Sequence, residues 1–349
     1  MALPASGASF NQVQQLHRVQ SANYSFTINR TDVNTFGQLA RIDSIVLEPP
    51  TVSLDFSYYP TDGFNERLLG FHVQGEHANP TSQGANKGLE GDQVGYGMSK
   101  LQLNAVSGHL QDDAAGRNFF ILTTPEGTDA FHTTRPNSER TAIGLGNGFL
   151  SDYSIDAAVG GIPTASATIE LFNAKTDAGV TGKSIPAVDL TDGKAITTSN
   201  YSLFSPSTGD ITATALRPGD VTMEIPQGLS IFADVSGDGS CHIQNFSLSV
   251  PLARTPIDRL GTRFAFSRVV DFPVVSTLTV SALVSDLNTA NLADILDSCD
   301  EHDVKITMKA NSSCGVGESM DSMIIDFKGA RIDSESMSSD IGSNKSVDL

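Results

Sequence analysis

The chain has 349 residues, 39% hydrophobic and 18% charged, which is enough for two domains of ordinary size. Its formal net charge of −18 disfavours a surface that grips phosphate backbones or anionic membranes. The cysteines, at positions 241, 299 and 314, are odd in number and form no CxxC motif, so we expect no disulfide framework and folding in a reducing cytoplasm. We also expect no signal peptide, because the N-terminus has no basic region followed by an apolar one, and no membrane span, because no apolar run approaches roughly 18 residues.

Short runs that alternate between apolar and polar residues predict β-strands along most of the chain. Alternation places three sets of apolar side chains each on one face of a strand: Tyr24, Phe26 and Ile28; Tyr153, Ile155, Ala157 and Val159; and Ala165, Ala167, Ile169 and Leu171. Pro49, Pro163 and Pro273 stand where strands begin, and a missing N–H is harmless there. The sequence therefore predicts an all-β fold.

Two short helices and two longer segments interrupt this pattern. Residues 64–69 predict a short helix, and residues 289–300 a second one with an apolar stripe at Leu292, Ile295 and Leu296. Residues 72–112 are rich in Gly, Gln and Asn and read as an insertion, while residues 173–230 read as a small inserted β-element or a long ordered connection.

The chain repeats one series of sequence blocks. Residues 23–28 (NYSFTI) match residues 245–250 (NFSLSV), and a glycine and a proline follow with equal spacing in both places, at positions 37 and 49 and at positions 261 and 273. Weaker matches continue in the same order: 52–56 with 276–280, 119–123 with 304–308, 148–152 with 329–333 and 159–160 with 341–342. A recurring hairpin pattern in an all-β protein is the simpler alternative. Duplication predicts two homologous β domains at residues 1–172 and 231–349, joined by residues 173–230.

Two stretches resemble virion structural proteins of tailed bacteriophages, in particular tail tube proteins. They are residues 148–166 (GFLSDYSIDAAVGGIPTAS) and residues 250–273, which include VPL, RLGTRFA and VVDFP. The resemblance implies a β-sandwich or flattened barrel with one flanking helix, whose inner sheet joins those of neighbouring subunits in a closed ring, and rings that stack into a tube. Some members fuse two such domains, so that three chains form a ring with six-fold pseudosymmetry, and the repeated blocks fit this variant.

The function that the resemblance implies is structural: stacked rings, trimeric and pseudo-hexameric or hexameric, that form the conduit for DNA ejection. Partners would be further copies of the chain and other tail proteins (sheath, terminator, baseplate and tape measure), in a virion tail assembled in the host cytoplasm. DNA would pass through the lumen without specific binding, so we expect acidic and small polar residues to line it. We expect the following residues to lie in the assembly strands: Val52, Leu54, Phe56, Leu278 and Val280.

The second half departs from the family pattern at its end. The first half continues through residues 169–172, whereas the matching part of the second half stops at residues 346–349. We expect its last strand either to be cut short or to be supplied differently.

No motif predicts catalysis or a cofactor. Asp234, Ser236 and Asp238 resemble the first half of a calcium loop, but the twelfth position holds Asn245 instead of Glu, and an Asp/Gly turn is the simpler interpretation. The seven histidines form no HExxH motif. Cys241 and His242 are adjacent and would point to opposite faces of a strand. We therefore predict a protein that is not an enzyme.

Two alternatives stay open at this point. One is another virion structural protein, such as a tail terminator, a baseplate hub or a capsid decoration protein. The other is a secreted β-sandwich adhesin or binding module. The absence of Trp and the presence of only six Tyr argue against stacking on sugars, while duplicated sheets with open edge strands favour self-assembly.

Overall fold

A computed structural model describes most of the chain. The described residues are 2–4, 15–60, 63–71, 73, 105–107, 109, 116–128, 139–179, 184–196, 221–224, 241–284, 302–310, 320–339 and 345–349. The strands are β1 (Ala2–Pro4), β2 (Val19–Thr27), β3 (Thr31–Val33), β4 (Asp43–Ile45), β5 (Thr51–Tyr58), β6 (Arg117–Thr123), β7 (Thr141–Ala158), β8 (Thr164–Leu171), β9 (Asn173–Ala178), β10 (Val221–Glu224), β11 (Cys241–Pro251), β12 (Arg254–Ile257), β13 (Ser267–Val270), β14 (Thr277–Val284), β15 (His302–Ala310), β16 (Met320–Ala330), β17 (Ser336–Ser338) and β18 (Ser346–Asp348). The helices are α1 (Phe64–Leu69) and a 3-10 turn (Ala105–Ser107). The predicted all-β class is confirmed.

The largest sheet contains eleven strands, of which β1, β6 and β9 branch off at β7. The other eight follow the order β17-β18-β14-β11-β7-β8-β5-β2, all paired antiparallel. We call β7, β8, β5 and β2 the first half-sheet, and β17, β18, β14 and β11 the second half-sheet. The two follow one strand order, in which β2 takes the place of β11, β5 that of β14, β8 that of β18 and β7 that of β17. Pairing between β11 and β7 joins the half-sheets, so β2 and β17 form the two ends.

A second layer of strands covers the apolar face of each half-sheet. In the first half, β7 changes layer: residues 141–146 pair with β6 and β9, and residues 149–158 pair with β8 and β11. Gly146 lies at this crossing because a Cβ there would come within 2.3 Å of the Pro186 carbonyl oxygen. In the second half, β10, β15 and β16 form a separate three-stranded sheet. Side chains from both layers contribute to one apolar core.

Alternation in the sequence decides which side chains enter this core. In β5 and β8 every second residue is buried, and the two buried sets face each other across the strands, as in the pair Leu54 and Ile169. The predicted apolar face of β8 is confirmed, since all four of its side chains are buried. In β7 the prediction holds as far as Ala157 but is wrong for Val159, which is 65% exposed because the strand ends at Ala158.

The predicted helix at residues 64–69 is confirmed as α1, and a buried carboxylate fixes it to the sheet. The Tyr58 and Tyr153 hydroxyls donate hydrogen bonds to Glu66 Oε1 at 2.7 and 2.9 Å. Burial, together with the Glu66 charge, raises the pKa of both tyrosines, so they remain donors at neutral pH. These two bonds offset much of the cost of burying the carboxylate.

One hairpin projects from each half of the molecule. Strands β3 and β4 form the first arm, residues 31–45, and β12 and β13 form the second arm, residues 254–270. The two arms close with matching backbone hydrogen bonds, from Ile42 N to Val33 O at 3.0 Å and from Phe266 N to Ile257 O at 3.1 Å. Both turn at a glycine with φ of 92°, Gly37 in one arm and Gly261 in the other. In each half, therefore, the glycine of the equal Gly-to-Pro spacing lies in the arm turn, and the proline lies shortly before the following strand.

Several predicted features lie outside the described residues. They are the second helix at residues 289–300, most of the insertion at residues 72–112, and the calcium candidates Asp234, Ser236 and Asp238. Within the predicted connection, residues 173–230, the structure describes β9, the loop at residues 184–196, and β10, which pairs with β15.

Candidate assembly surfaces

The solvent-facing side of the large sheet is built from small polar and acidic side chains. Alternation directs these residues away from the core: Ser21, Asn23, Ser25, Thr27, Thr51, Ser53, Asp55, Ser57, Asp152, Ser154, Asp156, Thr164, Ser166, Thr168, Glu170, Asn245, Ser247, Ser249, Thr277, Thr279, Ser281, Ser336, Ser338, Ser346 and Asp348. The other members of this face are Ala158, His242, Pro251 and Leu283. We call it the polar face. Among the described residues, its strands contribute no Lys or Arg to it.

Many hydroxyl groups on the polar face bond to one another across neighbouring strands. Ser21 and Ser57 lie 2.7 Å apart, and Thr168 donates to Asp55 at 2.8 Å. In the second half-sheet, Ser281 donates to Asp348 at 2.5 Å. Such pairs satisfy polar groups within the sheet and leave a smooth surface with negative charge.

The apolar stripe of β2 is exposed, whereas the matching stripe of β11 is buried. In β2, the exposed fractions are 39% for Tyr24, 60% for Phe26 and 42% for the adjoining Ile28. In β11, they are 4% for Phe246, 4% for Leu248 and 8% for Val250. Tyr24 and Phe26 lie directly opposite the buried residues Leu54 and Val52 of β5, so they point to the core side of the sheet. The difference arises because β11 has strands on both sides, while β2 is at the end of the sheet.

The junction between the halves shows what covers such a stripe. Residues 245–251 of β11 pair with residues 152–158 of β7, and two further backbone bonds extend the ladder, from Val159 N to Gln244 O and from Leu252 N to Ser151 O. In this pairing Leu248 lies opposite Ile155 and Val250 opposite Tyr153. Strand pairing and burial of the apolar stripe therefore occur together.

The second arm packs against the first half of the chain. Arg268 forms an ion pair with Glu170 at 2.6 Å, and its guanidinium lies 4.4 Å from the centre of the Phe172 ring. Phe264 packs on the same ring, with centroids 5.6 Å apart, and Arg259 donates to the Thr191 carbonyl at 3.1 Å. Arg268 thus brings a cation to one end of the polar face, where Glu170 neutralises it.

The first arm carries several exposed apolar side chains. Phe36 and Leu39 at its tip are fully exposed, Ile42 is 51% exposed, and Leu47 beside the arm is 67% exposed. An ion pair between Arg41 and Asp32 at 2.9 Å lies within the arm itself. Exposed apolar side chains concentrated on a projecting hairpin are typical of a surface that contacts another molecule.

The sequence-predicted assembly residues lie in the interior strands of the two half-sheets. Val52, Leu54 and Phe56 in β5 and Val280 in β14 are buried, and Leu278 is partly buried. The strand register corrects their alignment by two residues, because Tyr24 faces Leu54 while its counterpart Phe246 faces Val280 and not Leu278. In the subunit they are core residues, and their part in assembly stays a prediction.

A buried histidine lies where the second arm meets the first half. His109 stacks edge-on against Phe71, with ring centroids 4.8 Å apart, and its carbonyl accepts a bond from Arg254 of the second arm at 3.5 Å. Burial, and the charges of Arg117 and Arg254, lower the pKa of His109 from 6.5 to about 3. The sequence analysis did not single out this histidine, because its burial arises from contacts distant in the chain.

No grouping in the described part of the chain suggests reaction chemistry. Those residues contain no cluster of three or more His, Cys, Asp or Glu placed to hold a metal ion. His242, in β11, is exposed. Among the helices that the structure describes, none is long and apolar enough to cross a membrane.

Comparisons with known proteins leave the family open. No family model matches the chain, and no curated protein matches it.

Proposed function

We propose that this protein is a structural subunit that polymerises into a tube, as the tail tube proteins of tailed bacteriophages do, and that its two halves are homologous copies of one β domain. One observation carries the proposal: a single strand order occurs twice, the two occurrences are joined edge to edge, and the outer edges β2 and β17 end the sheet. The matching arms, with Gly37 and Gly261 at the same φ of 92°, support descent from one ancestral unit.

Open edges that match an existing junction favour self-assembly. An unpaired strand edge presents a row of N–H and C=O groups that another strand can pair with. Here the two ends of the sheet differ, so contact between them is head to tail, and head-to-tail contacts produce rings or helical filaments. A chain of this design can add further copies of itself through the same kind of contact that joins its own halves, with the added entropic cost of bringing separate chains together.

The polar face suits the wall of a DNA conduit. Lys and Arg that neutralise phosphates would hold DNA with a salt-dependent affinity, and the strands of this face contribute neither among the described residues. Its carboxylates, including Asp55, Asp152 and Asp156, repel a polyanion. We propose that this face lines the lumen and that DNA passes without specific binding.

In this proposal the protein is not an enzyme. Its partners are further copies of itself and the other tail proteins, namely sheath, terminator, baseplate and tape measure, and its place is the virion tail, assembled in the host cytoplasm. The repeated strand order of the two half-sheets supports that role.

Negative-stain microscopy of the purified full-length protein tests the proposal directly. We expect hollow rods or rings of uniform width whose number rises with protein concentration. Discrete monomers at every concentration would contradict the proposal and favour a binding module.

A second experiment tests the lumen. Tubes are assembled in the presence of short labelled DNA and treated with nuclease. We expect no protected DNA in the parent, and protected DNA in a variant that carries Asp152→Lys and Asp156→Lys. A control with the same charge change off the polar face, Glu48→Lys and Glu126→Lys, should behave as the parent does. Protection in the control alone would place the polar face outside the lumen.

A further inference from the structure

The junction between the two half-sheets provides a template for the contact between subunits. In the subunit, β11 pairs with β7 on one side and with β14 on the other. Among the described strands, its counterpart β2 pairs with β5 alone, and β17, the counterpart of β7, pairs with β18 alone. Within the described part of the chain, each sheet end therefore lacks the second partner that its counterpart has.

We propose that β2 of one copy pairs antiparallel with β17 of the next copy, in the register of β11 on β7. This inference rests on the proposed function and specifies its partner surface: the occupant of the β2 edge is a second copy of this chain. The contact is head to tail, so a β2 edge never pairs with another β2 edge.

The register follows from the strand pairings within the subunit. Alignment of residues 23–28 with residues 245–250 places Thr27 at the position of Ser249. Strand β7 pairs with β8 as β17 pairs with β18, and this correspondence places Ser338 at the position of Ser154. Since Ser249 lies opposite Ser154, Thr27 lies opposite Ser338 of the neighbouring copy. Two residues further along the chain, Asn29 takes the position of Pro251. Since Pro251 lies opposite Asp152, Asn29 lies opposite Ser336 of the neighbouring copy.

The burial of the two stripes supports this occupant. Tyr24, Phe26 and Ile28 are 39%, 60% and 42% exposed, while the same positions at the internal junction are at most 8% exposed. The β2 edge presents N–H and C=O groups that a further strand could pair with, and the apolar stripe lies beside this edge on the core side of the sheet. A strand added at this edge in the β11–β7 register pairs with the backbone groups and covers the apolar stripe.

Disulfide trapping tests the register. In a background without the native cysteines (Cys241→Ala, Cys299→Ala and Cys314→Ala) that assembles as the parent does, one preparation carries Thr27→Cys and another Ser338→Cys. Directly opposite residues in antiparallel strands lie within the Cα separation that a disulfide accepts. The internal pair Ser249→Cys with Ser154→Cys in one chain is the matched positive control.

We expect a covalent dimer on non-reducing gels only when the two single variants are mixed, and a ladder of covalent multimers from the double variant. A second pair, Asn29→Cys with Ser336→Cys, should give the same result. A dimer from the Thr27→Cys variant alone would overturn the head-to-tail contact. Tubes that form without any crosslink, while the internal control oxidises, would overturn the pairing and leave the proposed function intact.

Two remaining outcomes separate the claims. Crosslinked multimers that never form tubes would support the pairing and contradict the tube. Uncrosslinked monomers at all concentrations would overturn both.

Discussion

Strands β2 and β11 begin with similar sequences and follow the same route to an arm and then to the next strand, yet their apolar stripes have opposite environments. Leu248 in β11 is 4% exposed, and Phe26 at the matching position in β2 is 60% exposed. Alternation directs both side chains to the core side of the sheet. Burial then depends on the neighbouring strand, which β11 has and β2 lacks among the described residues. An alternating apolar pattern in a sequence therefore identifies the strand face that becomes buried, but it does not show whether the strand that buries it belongs to the same chain.

The arms repeat this contrast. Both have the same hairpin geometry and a fully exposed apolar residue at the tip, Phe36 in the first arm and Leu260 in the second, but Arg268 and Phe264 anchor the second arm on the first half. In each comparison, the element of the second half rests on the first half. Among the described residues, the matching element of the first half has no equivalent cover, which is the arrangement expected if the proposed neighbouring copy supplies it.

Proline substitutions should produce the largest effect and should affect both half-sheets alike. Leu54→Pro or Leu278→Pro removes a ladder donor from an interior strand, which by analogy with helix interiors costs about 3 kcal/mol or more in the free energy of unfolding. We expect misfolded or unassembled subunits, measured by sedimentation and microscopy beside the parent. Tubes of normal length from both variants would mean that β5 and β14 do not belong to the tube wall.

Truncation of matching apolar residues should separate the stability of the subunit from its assembly. Leu248→Ala leaves a cavity in the core and should lower the free energy of unfolding by about 2–5 kcal/mol. Phe26→Ala removes a largely exposed side chain, and should cost less than about 1 kcal/mol in the subunit while reducing assembly. Denaturant unfolding of dilute protein measures the first quantity, and sedimentation of concentrated protein the second. Equal losses of subunit stability would mean that β2 is already covered within the chain.

Acid should weaken the first half at its contact with the second arm. The pKa of His109 falls from 6.5 to about 3 because it is buried near Arg117 and Arg254, so the imidazole stays neutral in the folded protein. The unfolded chain takes up this proton below about pH 6.5, so the free energy of unfolding should fall as the pH drops from 6.5 towards 3, at on the order of 1 kcal/mol per pH unit.

Unfolding in denaturant across this pH range measures the slope. A His109→Gln variant, which cannot titrate there, should lose this share of the slope, whereas a His242→Gln variant, altered at an exposed position, should keep it. An unchanged slope in the His109 variant would assign the acid sensitivity to other groups.

The smallest effect should distinguish the arms. Arg268→Ala removes an ion pair and ring contacts that are partly shielded from solvent, so we expect a loss of about 1–2 kcal/mol and faster proteolysis of the second arm. Ser44→Ala, at the matching position of the first arm, should change stability by less than about 0.5 kcal/mol. Limited proteolysis and denaturant unfolding of the two variants compare the arms. A larger effect of Ser44→Ala would show that the first arm is anchored within the subunit.

Local patterns in the sequence predicted much of the fold. The alternation at residues 165–171 predicted a buried strand face, and residues 64–69 predicted a helix, since both signals depend only on near neighbours in the chain. The order of the repeated blocks, with equal Gly-to-Pro spacing, predicted that the halves would share a layout. The acidic and small polar lining expected for the lumen stays a prediction, and the sequence did not indicate where on the sheet such residues would lie.

The sequence by itself determined the strand faces, the arm turns at Gly37 and Gly261, and a surface poor in cations, because these follow from side-chain chemistry and local backbone preference. Tertiary structure alone decided which strands lie at the sheet ends, the two-residue shift in register after Pro273, and the burial of His109 between Phe71 and Arg254. Those features depend on contacts between residues far apart in the chain. For the same reason, identical alternation in β2 and β11 yields an open edge in one half and a buried junction in the other.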